Sequence, residues 1–184
     1  QYGVASGKND TSVTGWMLHA LLAATESGIE VPREAIEGGL DWFDLATDHE
    51  GKVGYMTPGG GSSFLPRNDG RYDQVPTMTA VAAYGRLSCN RAHSARKGLA
   101  YLQESKPVWG NGTRKVNFYY WYHATAAIQM LGDSNKGSWN ASLLRALLPN
   151  QSVNGCADGS WPPVGEWCLV GGSVYATAAH LIPL

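Results

Sequence analysis

The chain repeats itself. Helix-forming stretches built on small residues alternate with Leu-bearing stretches, and the second of each pair runs into a glycine-containing turn that closes on an aromatic. Leu147-Leu148-Pro149-Asn150-Gln151, followed by Gly159-Ser160-Trp161, is the clearest instance. A repeat of this kind constrains architecture before any single residue is interpreted, because one helix pair cannot bury its own apolar face and needs its neighbours to do so. Anchored on Thr14, Thr79, Thr125 and Thr177, successive cycles stand 46 to 65 residues apart. That spread suits helix pairs joined by loops of variable length.

Asp10-Thr11-Ser12 offers helix N-cap groups. Behind it Val13, Trp16, Met17, Ala20, Leu21 and Ala24 recur at helical spacing, and Gly28 is predicted to end that helix. Val31-Pro32-Arg33-Glu34 restarts one, with Pro at a tolerated position and an acid near the positive helix end. The second cycle is predicted to begin near Gln74, with a small-residue helix through Thr77 and Tyr84 and a Leu-type partner from His93 to Gln103. The third begins at Asn117, and its partner runs roughly from Trp139 to Leu148. A fourth small-residue helix is predicted to start at Ser173, after Gly171-Gly172. Between the first two cycles, the stretch from Thr57 to Asp73 lacks periodicity, contains Pro58-Gly59-Gly60-Gly61-Ser62-Ser63, and reads as a long loop. The expectation is one all-α domain over residues 1–184, three helix pairs and a final helix. Aromatics after the turns, Trp161 above all, plug the space between pairs.

Composition excludes some functions. A net charge of -1, with no basic cluster longer than two neighbours, gives no surface for nucleic acid. No apolar run reaches membrane-spanning length. His-Glu-x-x-His, Cys-x-x-Cys, P-loop and Gly-x-Ser-x-Gly motifs are all absent, so no metal or cofactor is expected. Cys156 and Cys168 flank one loop; a disulfide there would stabilise by about 3 kcal/mol, and the alternative is two reduced thiols. Asn-x-Ser/Thr triplets at Asn9, Asn111, Asn140 and Asn150 carry meaning only in a secreted eukaryotic protein, and no compartment is assigned.

Lys97-Gly98-Leu99-Ala100-Tyr101-Leu102-Gln103 with Trp109, and Arg145-Ala146-Leu147-Leu148 with Gln151 and Gly159-Ser160-Trp161, share an order of residues. A basic and a small residue precede Leu or an aromatic, then Gln, then glycine and tryptophan. In this the chain resembles the α/α-toroid superfamily of protein prenyltransferase β subunits and squalene–hopene-type cyclases. The resemblance covers nearly the whole chain and concerns the scaffold. It implies paired helices in inner and outer rings around a funnel that binds isoprenoids. The family's catalytic residues do not carry over. No Asp-x-Asp-Asp acid exists, and Asp41 and Asp44 have the wrong spacing for it. Where an Asp-x-Cys zinc pair belongs, the chain has Asn117 and Tyr119, whose neutral amide and phenol are poor zinc ligands. The Gly-Cys-Gly-Glu-Gln run of the related thioester domains is absent at Asn154-Gly155-Cys156-Ala157-Asp158.

With fewer pairs than a closed ring requires, the resemblance implies about half a ring. The chain is then a C-terminal fragment of a longer protein, a minimal half-toroid, or a protomer that completes its ring with missing upstream repeats or as a homodimer, through the apolar flanks of its terminal helices. The resemblance also implies that the N-terminal ends of the small-residue helices gather at one rim. Asp10, Asp73, Asn117, Tyr119 and Tyr120 would meet there, with Arg71 and Tyr72 nearby, to hold a small apolar or carbohydrate ligand. Helix capping is the competing role for Asp10 and Asp73. Asp158 and Glu166 stand beside the same side, and His123 is the histidine nearest the implied cavity. The leading expectation is a non-catalytic domain for binding or assembly. The competing one is an enzyme acting on a lipid, an isoprenoid or a polysaccharide, with Asp10, Asp73, Asp158 and His123 as acid/base candidates.

Overall fold

The computed structural model describes residues 9–60, 62–63, 72–73, 75–110, 116–165 and 167–181. The fold is all-α, with seven α-helices among the described residues and a minimal antiparallel ribbon. The chain divides into two compact units, Gln1–Leu102 and Gln103–Leu184.

The first unit contains α1 (Thr11–Glu26), α2 (Arg33–Leu45), α3 (Val75–Ser88) and most of α4 (Ala92–Glu104). The strands β1 (Ser62–Ser63) and β2 (Tyr72–Asp73) pair Ser62 with Asp73 and Ser63 with Tyr72. Asp10 caps α1 by accepting the Val13 N–H at 2.8 Å, and the helix stops at Ser27 and Gly28 as its sequence predicts. Pro32 stands one residue ahead of α2 as its N-cap, with Glu34 in the first turn. Helix α1 packs on α2 and α3, and α2 on α3. The α1–α3 approach is close enough that a Cβ on Gly15 would overlap Val81, so this crossing requires glycine. His19 of α1 meets Tyr84 of α3 with ring centroids 4.2 Å apart.

The second unit contains α5 (Phe118–Gln129), α6 (Asp133–Leu147), 3-10 turns at Leu148–Asn150 and Gly155–Ala157, and α7 (Cys168–Leu181). Helix α5 packs on α6 and α7. Helix α6 begins six residues before the predicted Trp139, because Asp133 to Ser138 is a polar first turn and a half with no apolar periodicity to announce it. Gly172 interrupts α7 with φ +63°, so its regular part starts at Ser173 as predicted.

Helices α3 and α5 are buried on almost every side, from Thr77 to Ala83 in α3 and at His123, Ala124 and Thr125 in α5. Helices α2 and α4 bury a single face: Leu40 and Phe43 in α2, and Ala95, Gly98, Leu99 and Leu102 in α4. The small-residue stretches therefore tolerate enclosure, and the Leu-bearing stretches pair an apolar face with a solvated one. Helix α1 buries less, at Thr11, Gly15 and Leu18, and α7 buries Cys168 and Ala176.

One hydrogen-bonded joint occurs in both units. After α2 the chain turns through Gly51 (φ +85°) and buries Val53, whose N–H donates to Thr79 Oγ1 of α3 at 2.9 Å. After α6 it turns through Gly159 (φ +78°) and buries Trp161, whose N–H donates to Thr177 Oγ1 of α7 at 3.3 Å. The turns close alike. The Asp48 N–H donates to the Lys52 carbonyl at 2.9 Å, and the Ser152 N–H donates to the Ser160 carbonyl at 2.8 Å. The Trp161 indole N–H donates to the Leu147 carbonyl at 2.9 Å, and the Trp139 indole N–H donates to Thr125 Oγ1 at 2.9 Å. Two of the sequence anchors, Thr79 and Thr177, are thus the acceptors that tie each turn to the next small-residue helix.

Replacing Thr79 by Val keeps the side-chain volume but leaves the buried Val53 N–H without an acceptor. The expected cost is about 1–3 kcal/mol in denaturant unfolding. His19 has its pKa lowered by burial against α3. The unfolded chain therefore takes up the proton first, and this stabilisation is complete above the ordinary histidine value of about 6.5 and is lost as pH falls below it. Unfolding free energies between pH 7.5 and pH 5 should fall less steeply for His19→Phe than for the parent.

Candidate functional site

The residues singled out in the sequence lie in two places, one in each unit. In the first unit Asp10 is 1% exposed. One carboxylate oxygen caps α1; the other, Oδ2, is buried and has no hydrogen-bond partner among the described residues. The adjoining Thr11 fastens the helix start to the turn after α2. Its N–H donates to the Tyr55 carbonyl at 3.0 Å, its hydroxyl donates to the Gly54 carbonyl at 2.7 Å, and it accepts the Trp42 indole N–H at 3.2 Å. Tyr72 and Asp73 form β2, but their side chains lie outside the described residues, as does Arg71.

In the second unit the start of α5 gathers rings. Asn117 caps the helix by accepting the Tyr120 N–H at 2.9 Å. The buried Tyr120 spends its hydroxyl on the Ser105 carbonyl at 2.7 Å and sets its ring edge-on to Trp139 at 6.1 Å. Tyr119 and Tyr122 both meet the fully buried His123 edge-on, each with centroids 4.8 Å from it, and Tyr119 lies 6.4 Å from Trp167. On the other side Trp109, Phe118 and Trp121 touch one another at 5.7 to 6.3 Å. An unbroken run of six ring-bearing residues, Phe118 to His123, wraps the first turns of α5, with rings at 119, 122 and 123 on one flank and at 118 and 121 on the other. The half-buried Tyr119, Tyr122 and Trp167 supply apolar ring surface suited to an apolar or stacking ligand.

The structure therefore brings Asn117, Tyr119, Tyr120 and His123 together along the first turns of α5. Asp158 is in the same unit but on an exposed turn, its N–H bonded to the Gly155 carbonyl at 3.2 Å. Glu166 lies outside the described residues. Among the described residues, no group of three or more His, Cys, Asp or Glu side chains is placed to hold a metal ion, and no helix is long and apolar enough to cross a membrane.

Of the two alternatives for the cysteines, the structure has the unbridged one. Cys156 is exposed in its 3-10 turn, while Cys168 is buried at the start of α7. These opposite environments separate the thiols, and burial pushes Cys168 up to about 11.

Sequence reasoning missed Arg86. Its side chain is 4% exposed and its Nη2 donates to Asp44 Oδ1 at 2.7 Å and to Thr47 Oγ1 at 2.8 Å, tying α3 to the end of α2. A basic residue inside a run of small apolar ones was the available signal. Asp44, whose spacing from Asp41 does not fit the cyclase acid, is largely exposed and holds this arginine.

No family model matches the chain, nor does any curated protein or solved structure.

Alkylation of the folded protein near pH 8 should label Cys156 first and Cys168 last. A thiol with a pKa near 11 is ionised to only about one part in a thousand at that pH. Peptide mass mapping over time checks the order, and equal rates would contradict the burial of Cys168.

Proposed function

We propose that this chain is a helical-repeat domain of the α/α-toroid class, about half a ring, that serves binding or assembly rather than catalysis. The observation that carries the reading is the joint made twice, Val53 to Thr79 and Trp161 to Thr177, each following a glycine turn with positive φ. A repeat kept at the level of single hydrogen bonds is what a scaffold of stacked helix pairs requires. Further support comes from within each unit. A small-residue helix packs on another, α1 on α3 and α5 on α7, with a Leu-bearing helix beside the first of them. The sequence lacks the acid and zinc motifs of prenyltransferase β subunits and squalene–hopene cyclases, while Asn117 is engaged in capping and Tyr119 in ring contacts. The Tyr119–Tyr122–His123–Trp167 group is the ligand surface in this reading, suited to a small apolar molecule or a sugar. Ring completion falls to upstream repeats or to a homodimer.

A second reading, an enzyme acting on a lipid, an isoprenoid or a polysaccharide, is favoured by one observation. Asp10 buries a carboxylate oxygen that has no hydrogen-bond partner among the described residues, and a buried polar atom of that kind calls for a role.

Incubation with isoprenoid diphosphates and polysaccharides, with and without zinc and magnesium, separates the two. The first reading expects no turnover, no zinc retained on dialysis, and saturable quenching of tryptophan fluorescence by a prenyl alcohol or an oligosaccharide. That quenching should weaken about tenfold in Tyr119→Ala. Turnover that disappears in Asp10→Asn, which still caps α1, would establish the enzyme instead.

A further inference from the structure

The turn after α6 is exposed without a break from Val153 to Gly159. It contains two pairs in which a glycine follows Asn or Asp: Asn154-Gly155 and Asp158-Gly159. In such a pair the glycine nitrogen can attack the preceding side-chain carbonyl carbon and close a succinimide ring. Glycine hinders the attack least, because it carries no Cβ. The structure treats the two pairs differently. The Gly159 N–H donates to the Ser152 carbonyl at 2.8 Å, so its nitrogen is held in the turn. The Gly155 N–H makes no hydrogen bond among the described residues. Asn154 stands at the N-cap of the 3-10 turn, yet its side chain makes no capping bond. Asn117 and Asn150 are different: Asn117 caps α5 ahead of Phe118, and Asn150 donates to the Ala146 carbonyl ahead of Gln151. Asn111-Gly112 lies outside the described residues. Asn154 is extended, with ψ 154°, so the peptide to Gly155 must rotate before its nitrogen meets the side chain. No hydrogen bond of that N–H opposes the rotation, and the space where a Cβ of residue 155 would stand is open.

We propose that Asn154 is a self-modifying site of the folded protein, deamidating to aspartate and isoaspartate, and that the isoaspartyl product loosens the second joint. Water is the only co-reactant. The Gly155 nitrogen gives up its proton and bonds to Asn154 Cγ; the Cγ–Nδ2 bond breaks, and the side-chain nitrogen takes up a proton and leaves as ammonia. Water then opens the ring at one of its two carbonyl carbons. Opening at Cγ leaves aspartate. Opening at the backbone carbonyl leaves isoaspartate, whose main chain runs through Cγ and is one methylene longer. Either product adds a carboxylate to the turn that already carries Asp158. The longer product also disturbs spacing. The Ser152 N–H donates to the Ser160 carbonyl at 2.8 Å, and Trp161 follows directly to donate to Thr177 at 3.3 Å. Residue 154 lies inside the loop that these bonds close. The first unit's turn, Asp48-His49-Glu50-Gly51-Lys52, has no Asn or Asp directly before its glycine. The joint at Thr177 therefore ages by a reaction that the joint at Thr79 escapes.

The test ages the full chain near pH 8, folded and in urea, and maps both samples by peptide mass spectrometry. Isoaspartate is counted by enzymatic carboxyl methylation. In urea both pairs are open, so the ratio of conversion at Asn154 to conversion at Asp158 there is the intrinsic one. In the folded protein that ratio should be about tenfold larger, because only the Gly159 nitrogen must first break a hydrogen bond. Conversion at Asn154 should quicken as pH rises, since the attacking nitrogen must lose its proton. Asn154→Gln, whose longer side chain closes a less favoured ring, should fold normally by circular dichroism and yield no product at that position. In the isoaspartyl fraction the Trp161 N–H should exchange with solvent several-fold faster than in fresh protein, while the Val53 N–H keeps its rate. The site is overturned if Asn154 persists in the folded protein while the urea sample converts, or if the two ratios are equal. Unchanged exchange at Trp161, or equal acceleration at Val53, would overturn the loosening of the second joint.

Discussion

The structure depends on one hydrogen bond made twice. A threonine hydroxyl on a small-residue helix accepts the N–H of a residue buried at the end of the preceding turn. The turn backbone is buried there, so its N–H needs a partner, and no neighbouring strand supplies one. Threonine fits the task because it is small enough for an enclosed helix and can return its own proton to that helix. Thr79 does so, donating to the Val75 carbonyl at 2.7 Å while it accepts from Val53. With this bond in place, the turn, the plugging side chain and the next helix hold one register.

Burial follows from that register. Helix α3 accepts enclosure because alanine, threonine and glycine keep its girth small, as alanine and threonine do from Ala124 to Ala127 of α5, and each enclosed polar group then needs an internal partner. Thr125 takes the Trp139 indole, and Arg86 takes Asp44 and Thr47. A buried arginine deprived of its acid would leave an uncompensated charge, so the Arg86–Asp44 pair links α3 to the end of α2 through the cost of breaking it more than through the value of making it. At the start of α5, the Asn117 side chain and the Tyr120 hydroxyl are committed to the fold, while Tyr119, Tyr122 and Trp167 are half-buried.

Much of this was legible in the sequence, and the exceptions have physical causes. The helix starts at Thr11 and Phe118 follow from Asp10 and Asn117, since capping is a local interaction between a side chain and an amide three residues on. The break at Gly172 follows from its doublet of glycines. The first turns of α6 were missed because they are polar, and helical periodicity is visible only where an apolar face is buried. The role of Arg86 was missed because its partners are about forty residues distant in sequence. Whether Asp10 meets Asp73 at a rim was a question about side chains that the backbone pattern does not answer.

The sequence by itself determined the helices, their alternation between small-residue and Leu-bearing types, and the caps and glycines that bound them, because these depend on neighbours within a turn or two of chain. Only the tertiary structure decided which threonine would accept which amide, that Cys156 and Cys168 would stand apart as an exposed and a buried thiol, and that Gly51 would be covered while Gly159 stands open. Those outcomes turn on the packing of segments far apart along the chain, where a shift of one helical position exchanges a buried side chain for an exposed one.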